Sequence, residues 1–153
     1  MAAYTATIVW ERGPGEVFSD NRYSRGHSWS FDGGVSVRAS SSPHVVPRFS
    51  DPAGVDPEEA FVASLSSCHM MTFLYLAAKQ KLVVNRYEDV AEGIMEKNAQ
   101  GRMWVSRVTL RPRIVWEGDA PEKSIIDHLH HLAHEECFIA NSVLTEVRCK
   151  TID

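Results

Sequence analysis

From Ala60 to Ala78 the chain runs 19 positions without a charged residue, and the apolar side chains of AFVASLSSCHMMTFLYLAA cover nearly every side of a helix. A helix apolar all round belongs in the middle of a fold rather than on its surface, so the rest of the chain must be built around it. Its ends are marked. Asp56 suits the cap, Pro57 the first helical position, Glu58 and Glu59 the positive end of the helix dipole, and Lys79 and Lys81 the negative end. Length alone would suit a membrane crossing, but four Ser or Thr, a Cys and a His within the run argue against one.

Strand patterns surround this helix. Tyr4 to Trp10 alternates, with Tyr4, Ala6, Ile8 and Trp10 on one face, as a half-buried strand does. Arg25–Phe31 and Val35–Ala39 flank Asp32-Gly33-Gly34, which reads as a hairpin. In that first arm Arg25 shares a face with His27, Trp29 and Phe31, so its guanidinium must be paired or must reach water. Arg22 lies in the preceding loop and shows no such pattern. Ser40 to Asp56, rich in Ser and Pro, is a long loop of the kind that often carries function.

Past the helix, 82–97 and 102–116 flank the turn Asn98-Ala99-Gln100-Gly101, with Trp104, Val108, Leu110, Ile114 and Trp116 on one face. The other face carries Arg107, Thr109, Arg111 and Arg113 and is read as a solvated sheet face. A second helix, 121–136, has Ile125, Leu129 and Leu132 as its apolar stripe, and a last strand runs from Val143 to Ile152. The order is β-hairpin, buried helix, β-hairpin, helix, strand. The expected class is therefore α+β, with mostly antiparallel sheets packed around a long central buried helix, in a single domain spanning 1–153.

Composition narrows the partners. At 44% apolar and 24% charged residues the chain is globular, not disordered or coiled-coil. A net charge of −4 with mixed signs argues against nucleic-acid binding. The opening MAAYTATIVWERG has no basic stretch followed by an apolar one, so a cytoplasmic, non-membrane protein is expected. Three cysteines without a CxxC then read as reduced thiols.

Those cysteines differ in setting. Cys68 lies mid-helix, Cys149 in the last strand, and Cys137 just past the second helix, where a thiol can reach a partner. Buried cysteine is usually a small hydrophobe, and Cys149 is read as one. His128, His130, His131 and His134 crowd the second helix and are read as its polar face. A zinc site built from Cys137, the helix histidines and His69 is the alternative, although Cys68 and His69 diverge by about 100° on their helix.

DPEEAFVASLSSCHMM resembles the segment before the first cysteine of the OsmC/Ohr thiol peroxidases, where a Pro-Glu-Glu motif precedes that cysteine by the spacing of Glu58 to Cys68. HEECFIANSVLTEV resembles the family's second-cysteine segment, although Phe138 replaces a proline there. RGHSWSFDGG matches the region that carries the family's arginine, with Arg25 as the best candidate over Arg22.

The resemblance implies an intertwined homodimer with the OsmC-like fold and a two-cysteine peroxidase. Cys68 would attack an organic hydroperoxide, Cys137 would resolve the product, and a small-molecule or protein dithiol would reduce the disulfide, with no cofactor. Arg25 would offset the thiolate charge and Glu58 would orient Arg25. Ten helical residues place Glu58 about 15 Å from Cys68, which a dimer interface would resolve. A chain of this length also has little core to cover an all-round apolar helix alone. Phe61, Leu65 and Met71, on the Cys68 side, would favour a lipophilic peroxide. The other class of function that fits is a non-enzymatic metal- or ligand-binding protein on the same fold.

Overall fold

The structure, a computed structural model, describes residues 1–152. The chain forms two compact units, Met1–Ala60 and the remainder from Phe61 onward.

In the first unit, β1 (Ala6–Val9), β2 (His27–Phe31) and β3 (Ser36–Ala39) form an antiparallel sheet in that order. The Asp32-Gly33-Gly34 turn closes β2 on β3. The Gly34 N–H donates to the Phe31 carbonyl at 3.0 Å, and Gly34 takes φ +83°, which glycine adopts without penalty. β1 is shorter than the alternation implied, and all four of its residues are exposed. The Ser/Pro-rich loop is pinned rather than loose. Ser50 Oγ lies 2.7 Å from Ser41 Oγ and donates to the Val46 carbonyl, and Ser40 Oγ accepts from the Asp51 N–H.

The central helix is α1 (Pro57–Lys79). Its start is a reciprocal capping box. The Glu59 N–H donates to Asp56 Oδ1 at 2.8 Å, and the Asp56 N–H donates to Glu59 Oε2 at 3.1 Å. Its end is a Schellman turn, with the Leu82 N–H on the Ala77 carbonyl and the Lys81 N–H on the Ala78 carbonyl. Lys81 holds the left-handed position at φ +60°, where a Cβ is strained. Lys81→Gly should therefore stabilise the chain by about 1 kcal/mol, read as an upward shift in the urea midpoint at constant slope. An unchanged or lower midpoint would contradict this.

Beyond α1, the two long arms each break in two. β4 (Val84–Asp89) pairs with β7 (Pro112–Trp116), and β5 (Glu92–Lys97) pairs with β6 (Met103–Leu110). The break is held by Asp89. Its Oδ1 accepts the Arg111 N–H at 2.6 Å and its Oδ2 accepts Ser66 Oγ at 2.5 Å. Pro112, which has no N–H to offer, then opens β7. The 98–101 turn forms as expected, with Asn98 Oδ1 accepting from Gln100 and Arg102. α2 (Lys123–Glu136) follows, and β8 (Glu146–Cys149) closes the chain.

β8 runs parallel to β6, the one parallel pairing among the described strands. It places β6 between β5 and β8, so Val108, Thr109 and Leu110 are all buried and simple alternation fails there. Thr109 is thus inside rather than on the basic, solvated face.

Two apolar clusters share α1. Leu65, Val108 and Leu110, with Phe61, Val62, Val105 and Val147 packed against them, hold its first half. Gly93 permits this approach, since a Cβ there would meet Val62 Cγ2 at 2.6 Å. Phe73, Leu76, Ala77, Leu129 and Ala133, with Tyr87, Ile114 and Trp116 around them, hold its second half. Each fully buried Leu or Phe contributes on the order of 2 kcal/mol. α1 buries one stripe, Leu65, Cys68, His69, Phe73, Leu76 and Ala77. Its opposite side stays open in the single chain, with Met71 59% and Tyr75 58% exposed.

Candidate active site

Cys68 lies on α1 where the helix passes from one apolar cluster to the other, and it is buried. Cys137 follows the last residue of α2 and is 1% exposed. There the chain leaves the helix in extended conformation (φ −70°, ψ 112°) and turns at once through a 3-10 segment, Ala140–Ser142. Asn141 ties this turn down, its N–H on the Cys137 carbonyl at 3.0 Å and its Nδ2 on the Glu135 carbonyl at 2.8 Å. Cys68 on α1 acts on the Cys137 thiol, which places the two sulfurs near one another. Both are free thiols.

Burial pushes the Cys137 thiol up to about 11, and its hydrogen bond with Cys68 pushes in the same direction. The Ala140 N–H, 3.5 Å from Cys137 Sγ, opposes the rise by favouring the thiolate. Near neutral pH Cys137 is therefore a thiol held against a second sulfur. Cys149 is also a free thiol, half-buried on β8, and burial pushes it up to about 12.

Arg25 and Glu58 belong to the first unit, Cys68 and Cys137 to the second. β2 begins at His27, so Arg25 precedes the strand instead of continuing its face. Its guanidinium stacks on the Tyr23 ring at 3.6 Å and donates to the Tyr23 carbonyl at 2.5 Å and to Asn21 Oδ1 at 2.8 Å. The pairing that the sequence demanded for this arginine is thus met by residues 21–23, and its side chain is braced. Arg22 is exposed, and its backbone N–H donates to Asp20 Oδ1. Glu58, half-buried in the first turn of α1, is left out of the capping box, which Glu59 closes.

The histidines depart from the surface reading. His131 and His134 are exposed, but His130 is 4% exposed and lies against His69, itself 1% exposed. The stripe that α2 buries is Leu129, His130 and Ala133, rotated from the expected Ile125–Leu129–Leu132, and Ile125 is 37% exposed. One signal for His69 was present in the sequence. It stands four residues after Leu65 and four before Phe73, on the helical stripe that packs inward. Burial holds both imidazoles far below their ordinary range, at about 4.

This arrangement has clear relatives. The family model for OsmC-like proteins matches residues 50–152. An OsmC-like protein of unknown function from Vibrio cholerae is 53% identical, with 99% of this chain and 100% of that chain covered and a TM-score of 0.96. An OsmC-like protein from Mycoplasma pneumoniae is 14% identical over 99% and 96% of the two chains, with a TM-score of 0.72. The organic hydroperoxide resistance protein OhrB of Bacillus subtilis is 18% identical over 99% and 100%, with a TM-score of 0.70, and thus shares the fold. No curated protein matches the chain. The family match over residues 50–152, the 53% identical relative and the α+β fold together show that the chain belongs to the OsmC-like family.

Proposed function

We propose that this protein is a thiol-dependent peroxidase that reduces organic hydroperoxides, with Cys68 as the attacking thiol and Cys137 as the resolving one. The observation that carries this reading is the buried contact between the two thiols at the junction of α1 and the end of α2. The Cys68 thiolate attacks the distal peroxide oxygen, the O–O bond breaks, and the alkoxide leaves as an alcohol after taking a proton. Cys68 is then a sulfenic acid. The Cys137 sulfur displaces its hydroxyl as water and forms the disulfide, and a dithiol returns both sulfurs to thiols while being oxidised itself. A Cys137 held protonated at rest leaves the first step to Cys68, because it does not compete for peroxide, and in the second step its proton departs with the displaced hydroxyl as water.

Arg25 is proposed as the cation for the first step and Glu58 as the group that orients it, on the resemblance of their segments. The Arg25 side chain is already ordered by Asn21 and Tyr23, so little further freedom is lost when its remaining N–H groups engage a partner. Phe61 and Leu65 lie in the apolar cluster on the Cys68 side of α1, which favours a lipophilic peroxide. The open α1 face at Met71 and Tyr75, with the exposed apolar Ile8 and Val9 of β1, favours assembly as a homodimer.

Consumption of an organic hydroperoxide by purified protein with excess dithiol tests the activity, and no consumption above a protein-free control would end the proposal. Arg25→Ala should slow turnover by roughly 10²-fold, the scale for losing one charged donor at a reacting oxygen. Arg25→Lys should rescue poorly, because an ammonium lacks the bidentate fork. Damage from Arg22→Ala with a silent Arg25→Ala would reassign the role.

A further inference from the structure

On the same buried stripe of α1 as Cys68, α1, α2 and β8 bring together polar groups that the peroxidase chemistry does not use. The rings of His69 and His130 lie 6° from parallel with centroids 5.3 Å apart, and His69 Nε2 faces His130 Nδ1 at 3.0 Å. A single proton serves that contact. The two outer nitrogens, His69 Nδ1 and His130 Nε2, are then one buried N–H and one bare lone pair. Neither has a hydrogen-bond partner among the described residues, and the same holds for the buried Tyr87 hydroxyl. Two orphaned nitrogens on one pair of touching rings are unusual in a protein interior. Cys149 completes the group, since one donor atom from each of His69, His130 and Cys149 lies within 4.8 Å of the other two.

We propose that His69, His130 and Cys149 form a buried zinc site that clasps α1, α2 and β8, separate from the Cys68–Cys137 pair. Two imidazoles and a thiolate are borderline-soft donors that suit Zn²⁺ and not Mg²⁺ or Ca²⁺. The facing nitrogens at 3.0 Å are already close to the roughly 3.3 Å between two nitrogens of a tetrahedral zinc. On binding, Cys149 gives its proton to solvent, and each imidazole turns a lone pair to the metal and keeps one proton on its other nitrogen. The Tyr87 ring lies 6.5 Å from that of His130, and a solvent water is the ordinary occupant of a fourth position on zinc. Charge is also provided for. Asp89 and Asp127 act on Cys149, Asp89 acts on His69, and Asp127 acts on His130, so two carboxylates offset a dication paired with one thiolate. In the metal-free protein those same carboxylates disfavour the Cys149 thiolate, which a metal ion would reverse. His134 acts against charging of His69, and the positive Lys123 acts against charging of His130.

The test is metal uptake by full-length protein stripped with chelator, using Zn²⁺ and, as a spectroscopic probe, Co²⁺. The wild type should take up one equivalent of either ion per chain, and the cobalt form should show a thiolate-to-metal charge-transfer band. Cys149→Ser should lose that band and bind at least tenfold more weakly. Cys68→Ser/Cys137→Ser should keep both band and stoichiometry. His130→Phe, which retains a ring against Phe73, should bind neither ion, and His69→Gln provides the same test should His130→Phe fail to fold. Zinc should raise the melting temperature of the wild type but not that of Cys149→Ser. No stoichiometric uptake by the wild type, a band that survives Cys149→Ser, or a band that depends on Cys68 or Cys137 would each overturn the proposal.

Discussion

Cys68→Ser is expected to abolish peroxide turnover, with a loss of at least about 10³-fold, the scale seen when a covalent nucleophile is removed. The substitution exchanges one atom at a buried position on α1, so the Leu65–Phe73–Leu76 stripe and both apolar clusters remain in place. Serine is nearly the size of cysteine, but its hydroxyl is a far weaker nucleophile toward an O–O bond and has no sulfenic acid chemistry. Circular dichroism and thermal melting should overlay those of the wild type within a few degrees, which separates lost chemistry from lost fold. If Cys68→Ser keeps more than a few per cent of the activity while folded, another residue attacks. Cys149→Ser serves as the companion control and should leave turnover almost unchanged, because its sulfur lies in the histidine group rather than beside Cys68.

Cys137→Ser should fail in a different way. The nucleophile is intact, so the protein reacts once with peroxide at close to the wild-type rate. It then stalls, because the Cys68 sulfenic acid has no thiol beside it. Steady-state turnover with dithiol should fall by roughly 10²-fold or more, and excess peroxide should carry Cys68 on to the sulfinic acid, a mass gain of two oxygens. The serine hydroxyl can still accept the Ala140 N–H that now lies 3.5 Å from Cys137 Sγ, so the turn after α2 should hold. A Cys137→Ser protein that cycles normally would show that the dithiol resolves Cys68 directly.

How much of this was legible in advance depended on whether the information was local. The caps of α1 and the Gly34 and Gly101 turns are written in neighbouring residues, and they appear where the sequence put them, whereas the all-round apolar α1 buries a single stripe within one chain. The meeting of Cys68 with Cys137 could be expected only from the resemblance of their two segments, since nothing local encodes a contact between a mid-helix residue and a distant helix end. The parallel pairing of β8 with β6 was out of reach for the same reason, and with it the burial of Thr109. The parity that Arg25 shares with Trp29 suggests a strand residue. Parity carries no information on where a strand begins, and Arg25, stacked on Tyr23, lies before β2 starts at His27. The inward turn of His130 was missed because a polar letter beside Asp127 and His131 reads as surface. What places it inside is the packing of Leu129 and Ala133 on Phe73 and Leu76, which rotates α2 by about one position.

The proposed turnover requires the two thiols to act as a pair, and the most direct measurement is peptide mass spectrometry after one equivalent of an organic hydroperoxide, with free thiols blocked before digestion. The two thiols already act on one another, and closing to the roughly 2 Å of a disulfide asks for an adjustment of the chain after α2. The expected product is an intramolecular Cys68–Cys137 disulfide in most chains, with Cys149 recovered as a blocked free thiol. A disulfide from Cys68 to Cys149, or Cys68 recovered unoxidised while peroxide disappears, would contradict it.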